Sequence, residues 1–268
     1  KNHFSIRSRP RAPQTKRWNI YVLYLTSQTT PEYAMDLSSN LPSTSLRQSL
    51  SIVVITLNEA SNLCRCLTAL TNVAKEIIVV DGGSSDETAF VASHFDVRLV
   101  STNKSRGLQL ATGGTLTSGE WLLFLHGDTV LEEDWETAVA QFINAVASKK
   151  VAGVFRYQND INSIAGKLLE QYVAWRTKMG LPYGDQGLLI SRETYEELGG
   201  FRKIQIMEDV DFVCKIGFKN IRIIPACATT SGSRYSRKGI LFRGMRNFLC
   251  LGLYFLGVSP RVIARIYQ

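Results

Sequence analysis

The chain has 268 residues, 45% of them hydrophobic and 20% charged, with a formal net charge of +8. That length holds one large domain or two small ones with a sizeable core, and the composition excludes a mostly disordered, collagen-like or coiled-coil chain. The charge is uneven. Lys1 to Trp18 holds six basic residues and no acid, and Phe212 to Gln268 holds ten and none, so the middle must carry 8 − 16 = −8. An acidic centre argues against a nucleic-acid partner and suits a site that holds a cation. The basic ends suit an anionic partner, a phosphate or a lipid surface. Five cysteines are too few for a disulfide scaffold, and Cys64 and Cys66 lack the spacing of a zinc or redox pair. With Cys214, Cys227 and Cys250 they read as reduced, small apolar residues of an intracellular protein.

Residues 1–48 show no long periodicity and read as a leader or disordered extension. Their Arg-rich, acid-free start is compatible with a transit peptide, and Met35 is an alternative start. From Leu50 the pattern changes. Apolar, β-branched runs at 51–57, 76–81, 97–101 and 120–128 predict four strands. Between them, 59–70, 84–95 and 106–119 predict helices, the last a weak one interrupted by Gly113 and Gly114. The alternation implies an α/β fold, a mostly parallel sheet with helices on both faces, whose ligand crevice lies beyond the carboxyl ends of the strands. Further on, helices are expected from Asp134 to about Ser148, Ile161 to Met179, 193–200 and 208–218. Strands are expected at 153–157, 185–191 and 221–225, the last stopped by Pro225.

The strand-end polar residues are Asn58 and Glu59, then Asp81, then His126 and Asp128. Asp81 enters Gly82-Gly83-Ser84, where its carboxylate either accepts hydrogen bonds from a base or ribose or caps a helix. Neither the Walker nor the dinucleotide glycine spacing is met. Asp128 follows a hydrophobic strand, where a carboxylate is costly unless paired or bound to metal. Mg²⁺ takes one or two such carboxylates plus diphosphate oxygens. His126 lies beside that metal or is a satisfied core histidine. Glu208, Asp209 and Asp211 stand at a helix start as a solvated turn or as the source of a general base, with Asp185 a further contributor.

Six segments, IVVITLNEASNL, IIVVDGGSSDET, SRGLQLATGG, EWLLFLHGDT, YGDQGLLISRE with GGF, and MEDVDF, follow in the order and spacing of family-2 glycosyltransferases. The chain resembles that family over about residues 50–260, in particular a bacterial and cyanobacterial type with His-x-Asp where most relatives have Asp-x-Asp. The resemblance implies a GT-A fold and inverting transfer of a sugar from a nucleotide-diphosphate donor with Mg or Mn. It places Thr56, Asn58, Glu59, Asp81, Gly82 and Arg106 at the nucleotide, and Asp128 with His126 at the metal. Asp185 and Gln186 fall at the sugar or acceptor, Asp209 becomes the base, and Glu208 orients the site. His126 leaves the motif a single carboxylate, so Arg234, Arg237 and Lys238 are expected to share the phosphate charge.

The expected domains are a catalytic unit at 49–233 and a basic amphipathic helical segment at 234–268. The stretch 236–260 mixes Arg and Lys with an aromatic-rich apolar run. Phe248 to Val258 is too short to span a bilayer, so the stretch is either an interfacial helix near anionic lipid or a core helix over the acceptor side. The first makes a lipid-linked acceptor and a cytoplasmic place at a membrane face the expectation. Nucleotidyl transfer and a non-catalytic nucleotide-sugar-binding relative are the competing readings. The first of these favours a Gly-rich loop with Arg and Lys where LNEASNL stands.

Overall fold

The computed structural model describes residues 46–146, 150–232 and 240–267. Residues 1–45 of the expected leader, and Arg234, Arg237 and Lys238, lie outside the described residues. Packing begins at Leu46, which is buried in a single helical turn, Leu46–Ser49, just ahead of the first strand.

The expected β/α alternation is present. β1 (Leu50–Thr56), α1 (Ala60–Leu70), β2 (Glu76–Asp81), α2 (Thr88–Ala92), β3 (Arg98–Ser101), α3 (Arg106–Leu116) and β4 (Trp121–His126) form the first half. The second half holds β5 (Thr129–Leu131), α4 (Trp135–Ala145), β6 (Ala152–Asn159), α5 (Ile164–Lys178), β7 (Leu188–Ser191), α6 (Arg192–Glu197), α7 (Glu208–Ile216) and β8 (Ile221–Thr230). Two tail helices follow, α8 (Ile240–Phe255) and α9 (Pro260–Tyr267). The strands make one eight-stranded sheet in the order β3-β2-β1-β4-β7-β6-β8-β5. The β3-β2-β1-β4 half is parallel. Beyond β4 the sheet is mixed, with β7 antiparallel to β4 and β6.

Every residue of β1 is buried, as expected of a strand covered on both faces. Its alternate side chains feed two cores. Leu50, Ile52 and Val54 pack with Leu63, Leu67, Trp135 and Phe142. Val53 and Ile55 pack on the other face with Leu110, Phe124, Tyr195, Phe201 and Phe212. A third core joins Leu181, Ile206 and Val210 to Cys250, Leu251, Tyr254 and Ile263, which fastens the tail helices to α7.

Several elements depart from the sequence expectation. Gly113 and Gly114 do not interrupt α3, which runs unbroken to Leu116. They are contact residues: a Cβ on Gly113 would strike Val53, and one on Gly114 would strike Tyr195. Pro225 does not stop β8. Pairing with β6 passes from Phe155↔Ile224 to Arg156↔Cys227, so Pro225 sits in a bulge, where a missing N–H breaks no ladder bond. The helix expected over 84–95 shrinks to α2, because Asp81 and Asp86 hold the preceding residues in side-chain-capped turns. The strand expected from residue 185 starts at Leu188, after a 3₁₀ turn at Gly184–Gln186. β5, only three residues long, carries too little pattern to be foreseen.

Candidate active site

The carboxyl ends of β1, β2 and β4 lie side by side. Thr56 is in register with Asp81, and Ile55 with His126. The Asp81 carboxylate is wrapped by its own turn. Oδ2 accepts the N–H groups of Gly83 (3.1 Å) and Ser84 (2.9 Å), and Oδ1 accepts the Ser84 hydroxyl. This is a turn-capping role that takes up three of the carboxylate's roughly four acceptor positions. Asn58 clasps the same turn from β1. Its φ is +55°, its N–H donates to Ser84 Oγ and its Oδ1 accepts Ser85 N–H, both at 2.8 Å. Glu59 is buried at the start of α1, where its N–H donates to Thr88 Oγ1 and its Oε2 accepts from Asn62.

Gln109, on α3, stitches these strand ends together. Its amide donates to the carbonyls of Thr56 (2.8 Å) and Val80 (2.9 Å) while buried. A Cβ on Gly82 would press on the Gln109 amide at 3.1 Å, so glycine there lets turn and helix close up. Thr56 is buried and its Oγ1 has no hydrogen-bond partner, beside Gly127, whose added Cβ would meet that oxygen at 3.0 Å.

His126 borders a mostly apolar cavity with Phe124, Leu110, Tyr183, Glu208 and Asp209. Gly184 crosses this cavity. Its N–H donates to Asp209 Oδ2 at 3.1 Å, and a Cβ on it would meet His126 Nε2 at 2.8 Å. Asp128 is buried one residue beyond Gly127. Asp185 joins these acids: burial raises its carboxyl, Arg176 opposes that, and the charges of Asp209 and Asp128 push it up further. Asp185, on the 3₁₀ turn, therefore feels the charges of an acid from the end of β4 and of one from α7. Asp81 stands two strands over from β4, at the end of β2.

Gln186, expected to contact sugar or acceptor, faces inward and is 1% exposed. Its amide binds Phe155 O, Thr177 Oγ1 and Arg176, so it braces the turn that presents Asp185. Arg176 is itself buried, 3.7 Å from Asp185 Oδ1, with its guanidinium 3.3 Å from the centre of the Tyr183 ring.

Glu208 opens α7 after Met207, whose φ is +64°. It is 1% exposed, and its Oε1 lies 3.7 Å from Arg106 Nε. Burial pushes its carboxyl up to about 7, against the pull of Arg106 and with Asp209 adding to the rise. In return Glu208 raises the Arg106 guanidinium. Asp211 does not face the cavity. It accepts from Arg202 Nη1 (3.0 Å) and from Tyr254 Oη of α8 (2.8 Å), which makes it a structural anchor for the tail.

The profile of Glycosyl transferase family 2 matches residues 51–202, more than half of the chain. The chain belongs to glycosyl transferase family 2. A mycobacterial relative, the PGL/p-HBAD biosynthesis glycosyltransferase of Mycobacterium bovis, is 38% identical over 104 residues, which are 35% of this chain and 41% of that protein. The family-2 chain thus spans well under two thirds of that curated relative. Its fold is shared with glucosyl-3-phosphoglycerate synthase from Mycobacterium tuberculosis, solved with Mn²⁺ and UDP-glucose. That likeness has a TM-score of 0.56 and 17% identity, over 82% of this chain and 85% of that one. It is also shared with the mannosyltransferase PcManGT from Pyrobaculum calidifontis, solved with GDP-mannose and Mn²⁺. There the TM-score is 0.52 and the identity 19%, over 81% and 64% of the two chains. The expected GT-A architecture is therefore the observed one.

Among the described residues of this family-2 chain, no group of three His, Cys, Asp or Glu side chains is arranged to hold a metal ion. The donors present fit the other way a hard divalent ion is held, by one or two carboxylates that share it with phosphate oxygens of a ligand. Asp128 is a buried carboxylate within electrostatic reach of Asp185, a donor of the type such a site uses. All five cysteines are free. Cys66, behind His126, is pushed up to about 12 by burial and by Asp128, so its thiol is inert.

Gln109, Arg176 and Tyr254 were not foreseen as contributors. A glutamine or arginine inside an amphipathic helix carries no sequence mark of being buried. Only its neighbours in space reveal that it braces the site.

Proposed function

We propose that this chain transfers a sugar, a hexose-type unit, from a nucleoside-diphosphate donor to an acceptor hydroxyl with inversion. The observation that carries the reading is the Asp185 carboxyl, which feels the charges of both Asp128 and Asp209 beside the cavity that His126, Gly184 and Asp209 line. Family membership and the donor complexes of the two fold neighbours support it.

In this reading Asp81, Asn58 and Glu59 flank the nucleoside, with Thr56 and Gly82 behind it. Arg106 faces the diphosphate side of the cleft. Asp128, with His126 beside it, would hold Mg²⁺ or Mn²⁺, which supplies neutralising charge to the leaving diphosphate. Asp209 takes the proton of the acceptor hydroxyl as its oxygen attacks the anomeric carbon. The Gly184 N–H, bonded to Asp209 Oδ2, fixes that carboxylate in place. Asp185, held by Arg176 and Gln186, faces the sugar or acceptor. The acceptor is read as a lipid-linked hydroxyl, because the apolar tail helices share a core with Leu181, just ahead of that turn.

The test is a melting-point panel of nucleoside diphosphates and nucleotide sugars, with and without Mn²⁺, on the parent and on Asp209→Asn. A ligand of the native state raises the melting point. Asp209→Asn is expected to keep that rise and to lose turnover at least about a hundredfold. Undiminished turnover removes Asp209 from the base role, and no response to any nucleotide removes the reading itself.

A further inference from the structure

Two helices carry a second apolar stripe on the side turned away from the core. On α5, Ile164, Leu168, Tyr172 and Trp175 are exposed, Ile164 to 80% and Trp175 to 61%. At helical spacing they fall within a sector of about 80°. Exposed Lys167 and Lys178 border the stripe. The acid of the helix, Glu170, is turned inward onto Asn159.

On α8, Met245, Phe248 and Leu249 are exposed, and Leu256 just past its end continues the same line. The opposite face buries Cys250, Leu251 and Tyr254. A helix apolar on both faces is ordinarily covered on both. α9 adds exposed Val262 and Ile266 beside exposed Arg261 and Arg265. The two regions meet near the cavity, since α5 leads into Leu181, which shares a core with Leu251, Tyr254 and Ile263.

Exposed aliphatic and aromatic side chains edged by Lys and Arg, with no acid among them, match the headgroup layer of an anionic bilayer. The whole segment from Phe212 to Gln268 has ten basic residues and no acid. A second copy of this chain fits poorly, because like charges would face one another. We propose that α5, α8 and α9 dock the chain on an anionic membrane surface, with their apolar stripes in the headgroup layer. None of the described helices is long and apolar enough to cross a membrane. One consequence, an acceptor presented at the bilayer surface, rests on the transferase reading; the docking itself does not.

The full chain, mixed at low salt with phosphatidylcholine vesicles with and without phosphatidylglycerol, tests this by flotation and tryptophan emission. Of the four tryptophans, Trp121 and Trp135 are buried in the core and Trp175 stands on the stripe, while Trp18, outside the described residues, is replaced by Phe in every sample used for emission. Flotation only with the anionic vesicles is expected, reversed by salt, with a blue shift that Trp175→Phe abolishes. Leu168→Glu and Phe248→Glu, both at exposed positions, are expected to weaken partition at least about tenfold each with unchanged melting points. No flotation with anionic vesicles, equal flotation with neutral ones, or full partition in both variants overturns the proposal. A Trp175 shift that follows protein concentration without lipid overturns it in favour of a second copy. Nucleotide-induced melting shifts need no lipid, so failure of docking and failure of the transferase reading remain separable.

Discussion

Glu208 combines near-complete burial with a neighbouring acid, and the Arg106 guanidinium lies 3.7 Å away. Its carboxyl therefore stands near 7 in the fold against an ordinary value of 4.5. Between those values the folded chain keeps a proton that the unfolded chain has released. Stability from this group is full below about pH 4.5 and is lost as pH rises through about 7. Glu208→Gln should thus match the parent near the lower pH and exceed it above pH 7, by up to about 3 kcal/mol. Denaturant titrations at both pH values check this, and a gap that does not widen with pH assigns the raised group elsewhere. Gln109 makes a second residue-scale prediction. Gln109→Leu leaves the Val80 carbonyl without its amide donor, so a loss of about 1–3 kcal/mol is expected in a urea titration. Nucleotide affinity should fall with it, because the ends of β1 and β2 lose their brace.

At the scale of the element, α3 shows how sequence propensity and packing disagree. Glycine inside a helix is unfavourable by about 1 kcal/mol, which is why Gly113 and Gly114 predict an interruption. In the fold they lie where α3 presses on Val53, Val80 and Tyr195. Gly113→Ala would stabilise a free helix, yet here it should destabilise the protein by about 1–3 kcal/mol, because a Cβ has no room. A urea midpoint that rises instead would mean the helix is not held down at that point. Pro225 is the converse case. A residue that normally ends a strand is absorbed by a bulge, and β8 reaches Thr230 to pair with β5.

For the whole molecule, the tail decides whether the expected units at 49–233 and 234–268 behave as one. Tyr254 reaches Asp211 across the boundary, and the third core mixes residues from both sides. Calorimetry of the full chain should therefore show one transition. Tyr254→Phe should lower it, since Asp211 loses one donor at about 1–2 kcal/mol. If the main transition stays put while a separate small one moves, the tail folds on its own.

The sequence by itself determined the alternating elements, the parallel half of the sheet and the acids at its strand ends, because hydrophobic periodicity and end-of-strand polarity are local signals. It carried the family through six segments in order. Only the tertiary structure decided that Asp211 and Gln186 serve as braces while Asp185 joins Asp128 and Asp209. The same holds for the burial of Glu208 and for the glycines of α3 as contacts. These depend on which surfaces meet across long sequence separations, and desolvation, steric closeness and Coulomb coupling belong to that meeting, not to any residue alone.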